Sequence, residues 1–236
     1  MVHRRAVPSR TEIQAVRTGT ALCRLCAGCD GGRTAGLTAA RLPSPLAAAL
    51  SLTARRYAFE RALPVRGSAF ARFFRVETAA LARELVRGRS EALRVRASTG
   101  APGWASVPWL AFFSPRVTRS MRHGLYVVIF INARDERIVL SLQHGAADTL
   151  TRLGPVEGAA CLRQQAAVTA RTAGQAHGFS TCQITLGSDA PLPRGYEAGC
   201  ALSRSWAADA PDLNMIENDL ARMLDIYHRL ISAHRF

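Results

Sequence analysis

Lysine is missing from this sequence of 236 residues, so all 31 basic residues are arginine. A phosphate-binding loop of the form G-x-x-x-x-G-K-[ST] needs a lysine, and that class of nucleotide site is therefore excluded. Nuclease centres that depend on a catalytic lysine are excluded for the same reason. The sequence also has no G-x-S-x-G nucleophile elbow and no H-E-x-x-H zinc motif. We find no catalytic constellation, and we predict a protein with no activity of its own and no cofactor.

Long apolar runs are also missing, since no stretch approaches the roughly 18 consecutive apolar residues that a membrane-spanning helix needs. The composition is nevertheless 48% hydrophobic, which is enough for a buried core. We therefore expect a soluble, cytoplasmic protein without a membrane partner.

Acidic residues are scarce in the first part of the chain. Residues 1–100 hold 18 Arg against 6 acidic residues, whereas residues 101–236 hold 13 Arg against 11. We predict that residues 1–56 form a poorly structured, Arg-rich extension and that a single domain occupies residues 57–236. Such an arm attracts DNA phosphates or anionic surfaces without sequence preference. The alternative is an Arg-rich leader with no partner.

A set of three closely spaced cysteines also lies in this extension. Cys23, Cys26 and Cys29 have C-x2-C-x2-C spacing, but a closed zinc site needs four ligands. His3 is the remote candidate for the fourth, so we predict no metal site. Among the dispersed histidines, His144 follows a strand and could reach a site, and we interpret it as a solvated loop side chain.

Hydrophobic periodicity predicts strands and helices in mixed order. Strands are expected at residues 93–97, 107–113, 125–132, 137–142, 181–186 and 196–202, with a hairpin turn at Asp135-Glu136. Helices are expected over residues 70–86, over residues 155–174 and after Asn214, where an apolar stripe at three-to-four spacing predicts core packing, and a short helix is expected over residues 45–56 within the extension. The fold class is α+β, with a mixed or antiparallel central sheet flanked by helices.

Aromatic residues are concentrated between Gly100 and Asn132, on two predicted neighbouring strands. This stretch contains Trp104, Trp109, Phe112, Phe113, Tyr126 and Phe130. The two-residue period of a strand places Tyr126 and Phe130 on one face. They could line a binding pocket, or they could be core residues.

Several segments, taken in order, carry a family resemblance. They are Gly-Trp-Ala-Ser-Val-Pro-Trp-Leu-Ala-Phe-Phe (103–113), Gly-Leu-Tyr-Val-Val-Ile-Phe (124–130), Ile-Val-Leu-Ser-Leu-Gln-His-Gly (138–145), Gly-Tyr-Glu-Ala-Gly-Cys (195–200) and Asn-Asp-Leu-Ala-Arg-Met-Leu-Asp-Ile-Tyr (218–227). Over residues 68–232 the chain resembles the McrB-like N-terminal domain, the DNA-binding module of methyl-directed type IV restriction systems.

The resemblance implies binding of duplex DNA that carries modified cytosine, with the modified base flipped into an aromatic pocket. The pocket positions that it implies are Trp109 and Tyr126, with Phe130 as a further wall and Trp104 as a cap or loop anchor. Stacking on aromatic walls and apolar contact with a methyl group can offset the few kcal/mol that unstacking a base costs. The loop before Trp104 departs from the family because it carries the small residue Ala101, so contacts from this loop are in doubt.

Arginines in two loops are candidates for phosphate contacts. These are Arg116, Arg119 and Arg122 between the two aromatic strands, and Arg194 in a later loop. A guanidinium group can donate two parallel hydrogen bonds to a phosphate. The alternative for each is a solvated loop cation.

Members of the family are usually followed by a motor or nuclease segment, and the chain ends soon after its last predicted helix. We expect a stand-alone reader or a fragment of a longer protein, with a separate motor or nuclease subunit as a possible partner. The alternative function is an interaction module whose aromatic pocket binds a protein or small ligand, with only non-specific DNA affinity. An enzyme of another kind is the least favoured reading.

Overall fold

The structure is a computed structural model, and it describes residues 43–174 and 178–233. Its centre is an antiparallel sheet with the strands in sequence order: β1 (Arg94–Ser98), β2 (Trp109–Phe113), β3 (Leu125–Asn132), β4 (Arg137–His144) and β5 (Cys200–Ala207). The helices are α1 (Pro45–Glu60), α2 (Ala69–Arg72), a π-helical turn (Phe73–Thr78), α3 (Ala79–Val86), α4 (Ala147–Ala173), α5 (Pro191–Ala198) and α6 (Met215–Ala233). The predicted α+β class with flanking helices is confirmed.

The hairpin between β3 and β4 is the predicted one. Every residue of β3 is buried, as its continuous apolar run predicts. The Asn132 side chain closes the turn, because its Oδ1 accepts from the backbone N–H groups of Arg134 and Asp135, both at 3.1 Å. Glu136 adopts a positive φ of 49° in this turn.

Helices α1, α3 and α6 cover one face of the sheet. Their apolar side chains form one core with residues of the central strands, including Leu110, Phe112, Val127, Ile129, Leu140 and Leu142. The predicted stripe of the last helix packs here, and the Tyr227 hydroxyl accepts a hydrogen bond from the backbone N–H of Ser114 at 3.0 Å. This core holds the strands in place and leaves the opposite face for the candidate site.

The first helix crosses the predicted boundary between residues 56 and 57. Ser44 caps it by accepting from the Ala47 N–H at 3.2 Å, and Pro45 occupies its first turn. Leu46 and Leu50 are at most 2% exposed. Burial of these side chains makes residues 45–56 part of the core rather than of an extension. We propose that the domain begins at Ser44 rather than at residue 57.

The opposite face is covered by the first part of α4, by α5 and by residues 184–186, and two sequence expectations were wrong here. Residues 181–186 do not form a strand, because side chains take the place of a partner strand: Leu186 N–H donates to the Glu197 carboxylate at 2.8 Å. The strand expected at residues 196–202 begins only at Cys200, and Tyr196 lies in helix α5. Pro191 and Pro193 fit the first turn of this helix, where no backbone N–H is needed. The helix predicted to open at Gly154-Pro155 is present, because the non-helical backbone of Gly154 (φ 78°, ψ 173°) separates residues 155–173 of α4 from a preceding helical segment at residues 147–153, which the sequence did not predict.

None of the helices in the described parts of the chain is long and apolar enough to cross a membrane. Among the described residues, no three His, Cys, Asp or Glu side chains group so as to hold a metal ion. The extension through residue 42, with Cys23, Cys26 and Cys29, lies outside the described residues.

Candidate functional site

Three of the four predicted pocket aromatics lie together on the face covered by α4 and α5. Trp109 is opposite Phe130 in the β2–β3 register, and Tyr126 lies on the same face of β3, four residues before Phe130. All three belong to one apolar cluster. Tyr126 and Phe130 are each 1% exposed, whereas Trp109 at the start of β2 is only partly buried. Trp109 is therefore the accessible edge of a buried aromatic surface.

The Tyr126 hydroxyl is held by a hydrogen bond. Its hydroxyl donates to the backbone oxygen of Met121 at 3.1 Å, which ties β3 to the loop of residues 114–124. Burial raises the pKa of Tyr126 well above its ordinary value, and the nearby Tyr196 raises it further. The hydroxyl therefore stays protonated and acts as a hydrogen-bond donor at neutral pH.

Tyr196 is a component of this cluster that the sequence interpretation missed. Its ring centroid lies 5.1 Å from that of Phe130, within the range of stacked aromatic pairs. The Tyr196 backbone oxygen accepts from Gln143 Nε2 at 3.0 Å, which anchors α5 to β4. Burial raises the pKa of Tyr196 to about 12, opposed in part by the charge of Arg122. The available signal was its place in the Gly-Tyr-Glu-Ala-Gly motif.

Glu197, the next residue, holds helix α5 and the segment of residues 184–186 together. It is buried, and besides the bond from Leu186 N–H it accepts from Arg194 Nη1 at 3.1 Å. Arg194 also contacts Asp189 at 2.6 Å. The pKa of Arg194 is raised by these hydrogen bonds, from Asp189 first and then from Glu197. In this structure Arg194 thus pairs with two carboxylates.

Trp104, the fourth predicted pocket residue, lies in a different cluster with Tyr57, Phe70 and Ala133. Its indole N–H donates to the backbone oxygen of Leu63 at 2.7 Å, and its ring meets that of Tyr57 edge-on at 5.4 Å. The Tyr57 hydroxyl in turn bonds the backbone oxygens of Thr99 and Ala105. Trp104 therefore joins the loop of residues 99–105 to the end of α1.

The loop of residues 114–124 leaves the end of β2 that is remote from Trp109, about 13 Å away at the rise of an extended strand. Arg122 Nε bonds Asp148 at 2.6 Å, and Arg116 lies 3.9 Å from Glu91. Arg119 is exposed and has no carboxylate within ion-pair distance among the described residues. Of the three loop arginines, Arg119 is the one whose charge is not shared.

A comparison with known protein families identifies the family of this domain. The family described as MrcB-like, N-terminal domain, matches residues 53–232, which is most of the chain. The chain belongs to this family. The match confirms the McrB-like resemblance seen in the sequence and extends from within α1 to near the end of α6. No curated protein matches the chain.

Membership of the MrcB-like family indicates a DNA-binding module of an McrB-type system. The matched residues include all five strands of the sheet, the aromatic cluster with Tyr196, and the four candidate arginines, of which Arg194 lies in helix α5 rather than in the predicted loop. The stretch through residue 52, which holds 7 of the 31 Arg and 2 of the 17 acidic residues, is outside the match.

Two clefts flank helix α4 of the MrcB-like domain, with volumes of about 470 and 500 Å³. Neither is lined by Trp109, Tyr126 or Phe130. His144 lines the larger one and contacts Thr169 Oγ1 through Nε2 at 2.8 Å. Its interpretation as a solvated loop residue was wrong, because it ends β4, and burial lowers its pKa to about 4. His144 is neutral at pH 7.

Proposed function

We propose that this MrcB-like domain reads modified cytosine in duplex DNA by binding the flipped base at Trp109, Tyr126 and Phe130. The observation that carries the proposal is the pairing of the partly exposed Trp109 with the buried Phe130. A base that leaves the stack would meet the Trp109 edge first and then the apolar surface behind it. A few kcal/mol of unstacking energy has to be offset there, and aromatic stacking supplies energy of that size.

Entry of a base requires movement of the cover, because Tyr126 and Phe130 are almost fully buried. Tyr196 is the group whose ring lies against Phe130, and it belongs to the short helix α5. In this proposal Tyr196 moves aside and then becomes a wall of the occupied pocket. Trp104 contributes indirectly, since it holds the loop that leads into β2.

The four predicted arginines are proposed to contact DNA phosphates, and their expected contributions to DNA affinity differ. Arg119 can donate to a phosphate without giving up another partner. Arg116, Arg122 and Arg194 have to share their charge with carboxylates, which weakens their attraction for a phosphate. A separate motor or nuclease subunit would act on the DNA that the domain has bound.

The test is a titration of the full chain with three duplexes that differ only at one cytosine: unmodified, 5-methylated and 5-hydroxymethylated. The expected result is a preference for at least one modified duplex that persists as salt rises, because base contacts specify while phosphate contacts position. Equal affinity for all three at every salt concentration would overturn the proposal.

A truncated chain that starts at residue 43 is the matched control for the Arg-rich extension. Truncation at residue 56 would remove core residues of α1, so it would test folding rather than binding. If the shorter chain keeps the preference, the specificity lies in the domain. If it loses all DNA binding while the full chain shows no preference, the alternative of an interaction module with non-specific DNA affinity is favoured.

A further inference from the structure

We propose that Arg94 and Arg96 on the edge strand β1 form a phosphate-binding surface that holds one DNA strand beside the aromatic site. The inference rests on the proposed function for what this surface positions, but its own test needs only an unmodified duplex. Neither residue was among the arginines singled out in the sequence.

The strand register places both arginines on the same face as the aromatic cluster. Ser98 is opposite Trp109, Arg96 is opposite Ala111, and Arg94 is opposite Phe113. Alternate residues of a strand share a face, so Arg94, Arg96 and Ser98 form a row that ends beside Trp109. Val95, between the two arginines, points into the opposite core.

The Arg96 guanidinium lies over an aromatic ring. Its guanidinium carbon lies 5.7 Å from the centroid of the Phe113 ring, which belongs to the same cluster as Trp109. A guanidinium stacked by its flat face keeps its N–H donors around its edge. Arg96 can therefore contact Phe113 and still donate two hydrogen bonds to a phosphate.

The charges of this pair are free of carboxylates. Arg94 and Arg96 are exposed, and within the described residues neither has an acidic side chain at ion-pair distance. This distinguishes them from Arg116, Arg122 and Arg194, whose charges are shared. Binding of a phosphate by this pair would require no existing ion pair to break.

The spacing and the location suit a polyanion. Residues two apart on a strand have Cα atoms about 6.7 Å apart, so the side chains of Arg94 and Arg96 can reach separate phosphates of one DNA strand. In the described sheet β1 pairs only with β2, and the exposed side chains of Arg94 and Arg96 are accessible to a large partner. With Arg119 at one end of the face and Trp109 at the other, this row supplies positive charge along the side of the proposed base site.

A structural explanation competes with this proposal. Charged side chains on an edge strand prevent pairing with another molecule, and two arginines could serve only that purpose. In that case their removal would promote self-association without changing DNA affinity. The experiment therefore has to measure both the oligomeric state and binding.

We suggest comparing the full chain with the double variant Arg94→Gln/Arg96→Gln. Affinity for an unmodified duplex is measured over a series of salt concentrations. The double variant should bind more weakly and lower the salt-dependence slope by about 2, since each phosphate contact contributes about 0.9. The double variant Arg94→Lys/Arg96→Lys should restore the slope. The ratio of affinities for modified and unmodified duplexes should stay unchanged.

The matched control is Arg83→Gln/Arg229→Gln, which removes the same charge from exposed positions on α3 and α6, on the opposite side of the sheet. An equal loss in this control, or an unchanged slope in the Arg94/Arg96 variant, would overturn the proposal. Self-association of that variant with normal DNA binding would overturn it as well. A chain without preference for modified cytosine would contradict the proposed function, while the slope on the unmodified duplex would still decide this inference.

Discussion

Tyr196 lies against Phe130 with the two ring planes inclined by 33°. The pair joins a helix, α5, to the central strand β3 across the aromatic cluster. Because Phe130 is almost fully buried, this contact separates it from solvent. Apart from the partly exposed Trp109 the aromatic cluster is closed, so the proposed base site requires Tyr196 to move.

Replacement of Tyr196 tests this cover. Tyr196→Ala should remove a wall of the occupied pocket and reduce the preference for a modified duplex, whereas Tyr196→Phe keeps the ring and should keep the preference. Loss of a buried aromatic side chain also costs about 3–5 kcal/mol of unfolding free energy, so urea denaturation has to show that Tyr196→Ala is folded. A folded Tyr196→Ala variant with full preference would contradict a role for Tyr196 in base recognition.

The two tryptophans should respond differently to mutation. Trp109→Ala is expected to lower the affinity for a modified duplex by about 1–3 kcal/mol, the value of one base–aromatic stack, and to leave binding of the unmodified duplex nearly intact. Fluorescence anisotropy titrations with both duplexes measure the difference. Equal losses on both duplexes would indicate that Trp109 has a structural role only.

Trp104→Phe is the counterpart. The change keeps a ring next to Tyr57 but deletes the indole N–H that bonds Leu63. We expect a loss of about 1 kcal/mol in unfolding free energy and no change in the preference for modified DNA. A changed preference at unchanged stability would place Trp104 in the base site, as the resemblance implied.

The sequence predicted the strands from Arg94 to His144 well, because buried strands between clear turns have a strong local pattern. The prediction of strands was wrong at residues 181–186, where the alternating pattern indicates which side chains are buried but not a strand. Ile184 and Leu186 alternate with exposed residues as they would in a strand, yet the Glu197 carboxylate occupies the hydrogen-bonding position of a neighbour. Alternation shows which side chains face the core, but not what the backbone pairs with.

The aromatic site was predictable only in part for a related reason. Period two placed Tyr126 and Phe130 on one face, and the register with Trp109 follows from pairing of neighbouring strands. The contact of Tyr196 with Phe130 joins residues that are 66 positions apart in the sequence. Tyr196 lies in a helix that was not predicted, because Pro191 and Pro193 were interpreted as part of a loop. Likewise, no local pattern reveals which arginines have carboxylate partners.

The loop arginines should contribute unequally to DNA binding. Arg119→Gln removes an unshared charge and should lower the salt-dependence slope by about 1. Arg122→Gln should have a smaller effect on the slope, since Arg122 already pairs with Asp148 at 2.6 Å and is less available to a phosphate. Salt titrations of the two variants measure this. Equal slopes for the two variants would contradict this order and would show that the Arg122–Asp148 pair opens when DNA binds.

Burial of His144 makes stability depend on pH in a defined window. Its pKa in the folded chain is about 4, below the ordinary value of 6.5, because burial disfavours the charged ring. Above pH 6.5 the ring is neutral in both states, and stability is full. As the pH falls from 6.5 to 4 the unfolded chain binds the proton first, so up to about 3 kcal/mol of unfolding free energy is lost.

His144→Gln should flatten the dependence of unfolding free energy on pH between pH 4 and 6.5, measured by urea denaturation. Thr169→Val, which removes only the hydrogen-bond partner of His144, should keep it. Equal pH dependence in wild type and His144→Gln would show that the ring is protonated in the folded protein as readily as in the unfolded chain.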